Sequence, residues 1–335
     1  MSASKVMAAS TTPTPNSRSV HHSPNPCHDL PALTGEVAVA LSGGADSTAL
    51  LLAAQGAYPG RVRAIHVNHQ IQSAATAFEQ QCQQMCAQRG IPLHVVRINV
   101  ERGPRQSLEA QARVARYRAL AQAAQAQGIA TILLAQHAQD QLETVLIALS
   151  RGAGLPGLSG MAPTFKRHGV QFVRPILHVN DADLRQWLDD EGVGYIHDPS
   201  NDDQQFTRNR IRHQVSPALA AALPQMAAAA ARSAQHIAQA QRLLNDLAAL
   251  DAQHTGIPPQ IKPLQTLPAE RQSNVLRWWL AQTPDATPSS AQLSALMSQV
   301  SACTTRGHRI HLKVGTGHVV REGAHLSFVA KAPGA

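Results

Sequence analysis

The stretch VAVALSGGADSTALLLAA at residues 37–54 narrows the folds open to this chain more than any other. An apolar run, a clipped Ser-Gly-Gly-Ala-Asp-Ser turn and an apolar run with helical spacing read as strand, loop and helix. Glycines permit positive φ and let backbone N–H groups approach an anion closely. A helix N-terminus directly behind them adds partial positive charge. Ser42, Gly43, Gly44, Ala45, Asp46 and Ser47 therefore read as a phosphate-binding loop. No lysine follows the glycines, as a Walker-type loop requires. The loop suits a pyrophosphate that is held and then leaves, rather than a transferred γ-phosphoryl. Asp46 repels phosphate unless a cation lies between them, which points to Mg²⁺. A plainer reading stays open, in which Asp46 and Ser47 only cap the helix.

The pattern continues from Gly35. Strand-like runs occupy 36–41, 61–67, 93–100, 131–136 and 171–177, with helix-like stretches at 47–55, 74–89, 106–127 and 138–150. Alternation of this kind predicts an α/β class, with a doubly wound, mostly parallel sheet. Ligands of such sheets sit at the carboxyl ends of the strands, beside a topological switch. After about residue 215 the composition turns to Ala and Gln. Ile237, Leu243, Leu244, Leu247 and Leu250 recur there at helical spacing. A further helix is expected over 268–282, then short strands over 309–329. A smaller α+β domain thus follows the sheet.

Twenty-nine Lys and Arg against 21 Asp and Glu give a net charge of +8, which suits an anionic partner such as RNA but also serves solubility. Four cysteines (Cys27, Cys82, Cys86, Cys303) form no CxxC pair, so neither a disulfide framework nor a zinc cluster is expected. No apolar run approaches the roughly 20 residues that cross a bilayer. The first thirty or so residues have no apolar core of a secretory signal and read as a disordered leader.

Further blocks carry chemistry. IHVNHQIQ (65–72) places His66, Asn68 and His69 where the second strand closes. SLEAQARVARYRAL (107–120) sets Glu109, Arg113, Arg116 and Tyr117 on one helix face. In AQHAQDQLETVLIALSRGAGLPGLSGM (135–161), His137, Asp140 and Thr144 share a face, with Gln141 and Glu143 beside it. Its Gly-rich tail carries Arg151 and reads as a flexible lip around an anion. YIHDPSNDDQQFTRNRIRHQVSPAL (195–219) brings Arg208, Asn209, Arg210, Arg212 and His213 together after a turn. Each block also has an ordinary explanation, as a satisfied polar loop or a solvated charged face.

SGGADS after a buried strand resembles the PP-loop signature of ATP pyrophosphatases, which cleave ATP between its α and β phosphates. In this order, the five blocks resemble the tRNA(Ile)-lysidine synthase family, closely over about 35–219 and more loosely over about 265–329. Longer members carry a further C-terminal domain, and some members are this short. The resemblance implies four regions: a leader (1–34), a PP-loop catalytic domain (35–216), a helical linker (217–262) and a small tRNA-binding domain (263–335). It implies adenylation of the C2 oxygen of wobble cytidine 34 in a CAU-anticodon tRNA(Ile) by ATP, with Mg²⁺. The lysine ε-amine then displaces AMP. Asp46, Arg113, Asp140 and Glu143 become the expected catalytic residues, with Asp46 and Asp140 on the metal. ATP falls to residues 42–47, His66, Asn68 and His137. The tRNA falls to Arg116, Arg151, Arg208, Asn209, Arg210 and Arg212. A cytoplasmic homodimer is implied. One position departs from the family: Gln139 stands where the first of two adjacent aspartates is usual, so Glu143 or another acid must take that part. A PP-loop tRNA thiolase, which needs a cysteine pair, and a non-catalytic RNA- or nucleotide-binding module are the alternatives.

Overall fold

The computed structural model describes residues 23–68, 75–99, 108–198, 202–283, 286–305 and 307–330. His69 and most of the leader lie outside them, as does the Glu109 side chain. The chain divides into two compact units, 1–140 with 163–217 and 141–162 with 218–335.

The first unit is built on a six-stranded sheet: β1 (Val37–Ala40), β2 (Val62–Asn68), β3 (Leu93–Arg97), β4 (Thr131–Leu133), β5 (Thr164–Arg167) and β6 (Val170–Val173). The strand order is β3-β2-β1-β4-β6-β5, and every neighbouring pair is parallel except β5–β6. The mostly parallel α/β sheet expected from the alternation is present. The edge hairpin partner β5 was not legible, because TFKR has no apolar run.

Strands buried on both faces need apolar residues at successive positions, and β1 has them. Val37 and Val39 face a core shared with Leu50 and Leu51 of α1 (Ala45–Ala57) and Leu184 and Leu188 of α6 (Asp181–Asp190). Ala38 faces the other side, with Ile65, Ile132 and Phe172, against Tyr117, Leu120 and Ala124 of α3 (Leu108–Ala126). The sheet is doubly wound for this reason. Helix α2 (Ala75–Gln88) contributes Cys82, Met85 and Cys86 to the first face.

Residues 23–34, expected to belong to a loose leader, pack on this unit. Cys27 is buried in the core, the Tyr58 hydroxyl donates to the Pro31 carbonyl at 2.6 Å, and Arg61 donates to the Leu33 carbonyl at 2.9 Å. A Pro- and Ser-rich segment without periodicity gives no sequence sign of such packing.

Helix α4 (Ala138–Ser150) runs from the first unit into the second, where α5 (Leu155–Leu158) follows. The expected flexible lip is therefore ordered: the buried Gln141 amide donates to the Met161 carbonyl (3.0 Å) and accepts from its N–H (2.7 Å). After α6 come α7 (Thr207–Arg210), a π-helical stretch (Ile211–Val215) and α8 (Ser216–Ala222), whose residues from Ala218 on belong to the second unit.

The second unit also holds α9 (Met226–Thr255), α10 (Ile261–Gln265), α11 (Ala269–Ala281), α12 (Ser290–Ala302) and an antiparallel sheet β7 (His311–Val314), β8 (Gly317–Glu322), β9 (His325–Val329). Trp279, Leu280, Leu296, Val300, Val319 and Leu326 form its core. The segment expected as a linker is part of this unit. Its helix buries alanines (Ala230, Ala231, Ala234, Ala248, Ala252), whereas Leu243 and Leu250 are 63% and 61% exposed. Small residues bring α9 close to its neighbours, and an ion pair from Arg271 to the buried Asp251 ties it to α11.

Candidate active site

In the first unit the chain runs β1-β2-β3 to one side, then crosses back to β4 on the other side of β1. The carboxyl ends of β1 and β4 thus flank the switch point, where doubly wound sheets bind ligands. Residues 41–44 leave β1 at that point, and residues 134–137 leave β4.

The loop after β1 is held by its own hydroxyls. Ser47 Oγ accepts from the Ser42 N–H at 3.1 Å, lies 3.0 Å from Ser42 Oγ, and donates to the Gly44 carbonyl at 3.1 Å. Gly43 has φ +89°, and a Cβ there would meet Ile196 Cδ1 at 2.9 Å and Cys82 Sγ at 3.1 Å. Its carbonyl accepts from the Ile196 N–H at 2.9 Å, so the strap through Ile196 lies directly on the loop. Gly44 differs: φ is −72°, and an added Cβ would meet nothing closer than Ser42 Oγ at 3.6 Å. The protein itself does not require glycine at 44. Glycine there leaves open space beside the loop.

Gly44 is the N-cap of α1, with no side chain accepting from the helix. Asp46 and Ser47 are therefore not caps, and that reading is removed. The first turn's N–H groups, which a helix cannot satisfy internally, face the loop opening. Asp46 Oδ1 is buried and has no hydrogen-bond partner among the described residues.

His137, 3% exposed, follows β4 and lies between two carboxylates. Its Nε2 is 3.4 Å from Asp46 Oδ2 and 3.5 Å from Asp140 Oδ2. Burial alone depresses the imidazole pKa, but Asp140 and Asp46 outweigh it and raise it to about 9. Asp140 also accepts from the His137 N–H at 3.3 Å and from Arg212 Nη2 at 2.9 Å. Burial pushes its carboxyl up, while His137, Arg212 and Arg208 bring it below the ordinary value. Glu143, one turn further along α4, is fully buried.

The π-helical stretch carries Arg212. A π-turn re-aims the side chains beyond it, and here Arg212 reaches α4. Beside that contact, Gln139 Nε2 donates to Ser216 Oγ at 2.6 Å. Consecutive α4 residues thus grip the arginine-bearing segment at two points. Asn209 closes its own turn on the Asp203 carbonyl at 2.9 Å, Arg210 is exposed and donates to Thr207 Oγ1, and Arg208 is half-buried.

His66 supports the loop from β2, and Asn68 ends that strand. His66 Nδ1 lies 2.9 Å from the Leu41 carbonyl, and burial lowers its pKa despite that bond and the nearby Glu79 charge. A neutral imidazole donating to Leu41 is the result. Asn68 Nδ2 donates to Glu79 Oε2 at 2.9 Å, and Arg97 pairs with the same carboxylate. Arg113, Arg116 and Arg151 are exposed.

Two family models match the chain: a PP-loop domain over residues 18–219 and a TilS substrate binding domain over residues 260–326. A tRNA(Ile)-lysidine synthase of Polaromonas naphthalenivorans is 55% identical over 290 residues, spanning 87% of this chain and 88% of that protein. The chain belongs to the tRNA(Ile)-lysidine synthase family. The synthase of Bordetella pertussis is 38% identical over 85% of this chain and 92% of its own length. That of Pseudomonas fluorescens is 42% identical, and only 57% of its length is spanned, so family members differ in length. Among solved structures, a U34-tRNA thiolase of Methanococcus maripaludis with a [4Fe-4S] cluster shares the fold, at 16% identity and a TM-score of 0.54 over 62% of this chain and 73% of that one.

The family's loop, His137 and Asp140 meet at one crevice here, as the strand order requires. Sequence reasoning missed His137's position between two carboxylates, and it missed the Ile196 strap. The cysteine pair of the thiolase alternative is not at hand. Cys82 and Cys86 are buried in α2, and burial pushes their thiols up to about 12 and about 11, so neither is a ready nucleophile.

Proposed function

We propose that this chain converts cytidine 34 of a CAU-anticodon tRNA(Ile) to lysidine, consuming ATP and free lysine and releasing AMP and pyrophosphate. The observation that carries it is the loop at residues 42–47: glycine-lined, uncapped, open at Gly44, and set on a chain that matches both family models.

In the first step the C2 oxygen of the cytosine attacks the α-phosphorus, an O–P bond forms, and the bond to the bridging oxygen breaks. The N–H groups of Ala45, Asp46 and Ser47 receive the departing pyrophosphate, where fixed donors act most strongly. The residues fit Mg²⁺ at Asp46, whose orphaned Oδ1 offers one carboxylate ligand; Mg²⁺ commonly takes one or two and completes its shell with phosphate and water. When bound, the ion neutralises charge on the phosphates. Asp140, expected beside Asp46 on the metal, has one oxygen on Arg212 and the other on His137. Its part is to hold those two groups and to lend negative charge to the lysine ammonium.

In the second step the lysine ε-amine forms a bond to C2, and the C2–O bond breaks with the oxygen leaving on AMP. The ammonium must first lose a proton. Asp140, kept ionised by its cationic neighbours, is a weak acceptor, which leaves Glu143 as the base. Arg113 balances charge on the adenylated base, and His66 holds the loop from behind. Arg116, Arg151, Arg208, Asn209, Arg210 and Arg212 serve the tRNA. The protein works in the cytoplasm, and no helix among the described residues is long and apolar enough to cross a membrane. It acts as a homodimer, which sedimentation equilibrium checks.

Purified protein with ATP, Mg²⁺, labelled lysine and unmodified CAU-anticodon tRNA(Ile) should place label in the tRNA with stoichiometric AMP and pyrophosphate. ATP cleavage without lysine incorporation overturns the proposal.

A further inference from the structure

On the β6–β5 side of the first unit's sheet, arginines gather round an aromatic knot. Tyr117, 2% exposed, packs edge-on against Phe165 (5.7 Å between ring centroids) and Phe172 (5.2 Å). Phe165 and Phe172 stack at 5.1 Å. Arg174 is 6% exposed, its Cζ 4.4 Å from the Phe165 ring, and it donates to Tyr117 Oη (3.3 Å) and Gln136 Oε1 (2.9 Å). Three more guanidiniums lie over Tyr117, with Cζ at 5.2 Å (Arg167), 5.8 Å (Arg116) and 5.9 Å (Arg113).

Four cations round one ring repel one another, and ring faces offset that only in part. Among the described residues Arg113, Arg116 and Arg167 make no ion pair. Asp140, whose charge reaches Arg116 and Arg174, is already engaged by His137 and Arg212. The segment TFKRHGVQFVR (164–174), which spans the edge hairpin, carries Lys166, Arg167, His168 and Arg174 and no acid. Guanidinium is the cation that both lies on aromatic faces and grips phosphate with paired N–H donors. The spread of accessible arginines over α3 and the edge strand β5 suits a run of phosphates along a strand better than a single small anion.

We propose that α3 and the β5–β6 hairpin form an RNA-backbone docking face, in which Arg116 and Arg167 grip phosphates while Tyr117 and the buried Arg174 hold them in place. This rests on tRNA being the substrate. The test is tRNA binding by the full chain, measured by filter retention from 50 to 200 mM KCl, for wild type, Arg167→Gln, Arg167→Lys and Arg116→Gln. Each lost phosphate contact lowers the magnitude of the slope of log K against log salt by about 0.7–0.9. Arg167→Gln and Arg116→Gln are expected to show that drop, with weaker binding at low salt, and Arg167→Lys to keep the slope. ATP affinity without RNA should stay at the wild-type value for Arg167→Gln. Should both Gln variants bind with the wild-type slope while wild type forms lysidine, the docking face is wrong and the activity stands. Should wild type neither bind nor modify tRNA, the activity fails, and this inference with it.

Discussion

The two loop glycines should separate stability from chemistry. At Gly43 an added methyl meets two penalties. A φ of +89° is strained for any L side chain, at about 1–2 kcal/mol. The new Cβ also presses on Ile196 Cδ1 at 2.9 Å and Cys82 Sγ at 3.1 Å, overpacking of a kind that costs about 1–3 kcal/mol. Gly43→Ala should therefore lose about 2–5 kcal/mol, a large share of the roughly 5–15 kcal/mol that holds a domain folded. Its melting temperature should fall by about 4–20 °C, at about 2–4 °C per kcal/mol for a domain of this size. At Gly44, φ is −72° and the nearest atom stands at 3.6 Å. Gly44→Ala should stay within about 1 kcal/mol of wild type. Its methyl enters the space a phosphate would use, so AMP release should fall about a hundredfold or more, the scale of losing one preorganised donor. Thermal melts and an AMP-release assay on both variants decide the matter. Wild-type AMP release in Gly44→Ala would refute the cradle, and an unshifted melt in Gly43→Ala would refute the steric argument.

Three further outcomes are expected. Asp46→Asn should remain folded, since no cap is lost, and bind tRNA nearly as wild type does while AMP release falls on the order of 10²–10³-fold; a chain that unfolds instead restores the capping reading. Gln139→Asp removes the donor to Ser216 and should cost about 0.5–1.5 kcal/mol in a melt, with a higher KM for tRNA as the segment bearing Arg212 loosens. Glu79, held by Asn68 and Arg97, titrates below its ordinary 4.5; its stabilisation is thus fully present above that pH and lost as pH falls through the lower folded value. The melting-temperature gap between wild type and Glu79→Gln should accordingly be widest near neutrality and close on acidification, and a gap independent of pH contradicts it.

The features legible in the sequence were local ones. A buried strand, a glycine turn and a helix are adjacent in the chain, so SGGADS declares itself, and the alternation of runs implies the parallel sheet. The features that escaped depend on residues far apart. His137 lies between Asp46 and Asp140 only because β4 returns beside β1. Arg212 meets Asp140 across 72 positions, through a π-turn that no periodicity marks. The RGAGLPGLSGM tail reads as flexible until Gln141 is seen clamping Met161. Leu243 and Leu250 of α9 satisfied the helical spacing yet point to solvent, because spacing finds a helix without saying which stripe is small enough to pack.

These long-range contacts also account for how the site exists before its substrates arrive. Asp46 and Asp140 lie at one crevice, where like charges repel. A single imidazolium within about 3.5 Å of both removes that repulsion, and Arg212 takes the remaining Asp140 oxygen. Asp46 Oδ1 is left without a hydrogen-bond partner among the described residues. The adjacent serine could have satisfied that oxygen, and it does not: Ser47 donates its hydroxyl to the Gly44 carbonyl. An acceptor kept unpaired beside uncapped helix N–H groups presents one negative and several positive partners at one opening. A free anion is repelled by the first and drawn by the second. A cation-bearing polyphosphate satisfies both, so under the proposed function the loop is expected to bind the metal complex of a nucleotide in preference to bare phosphate.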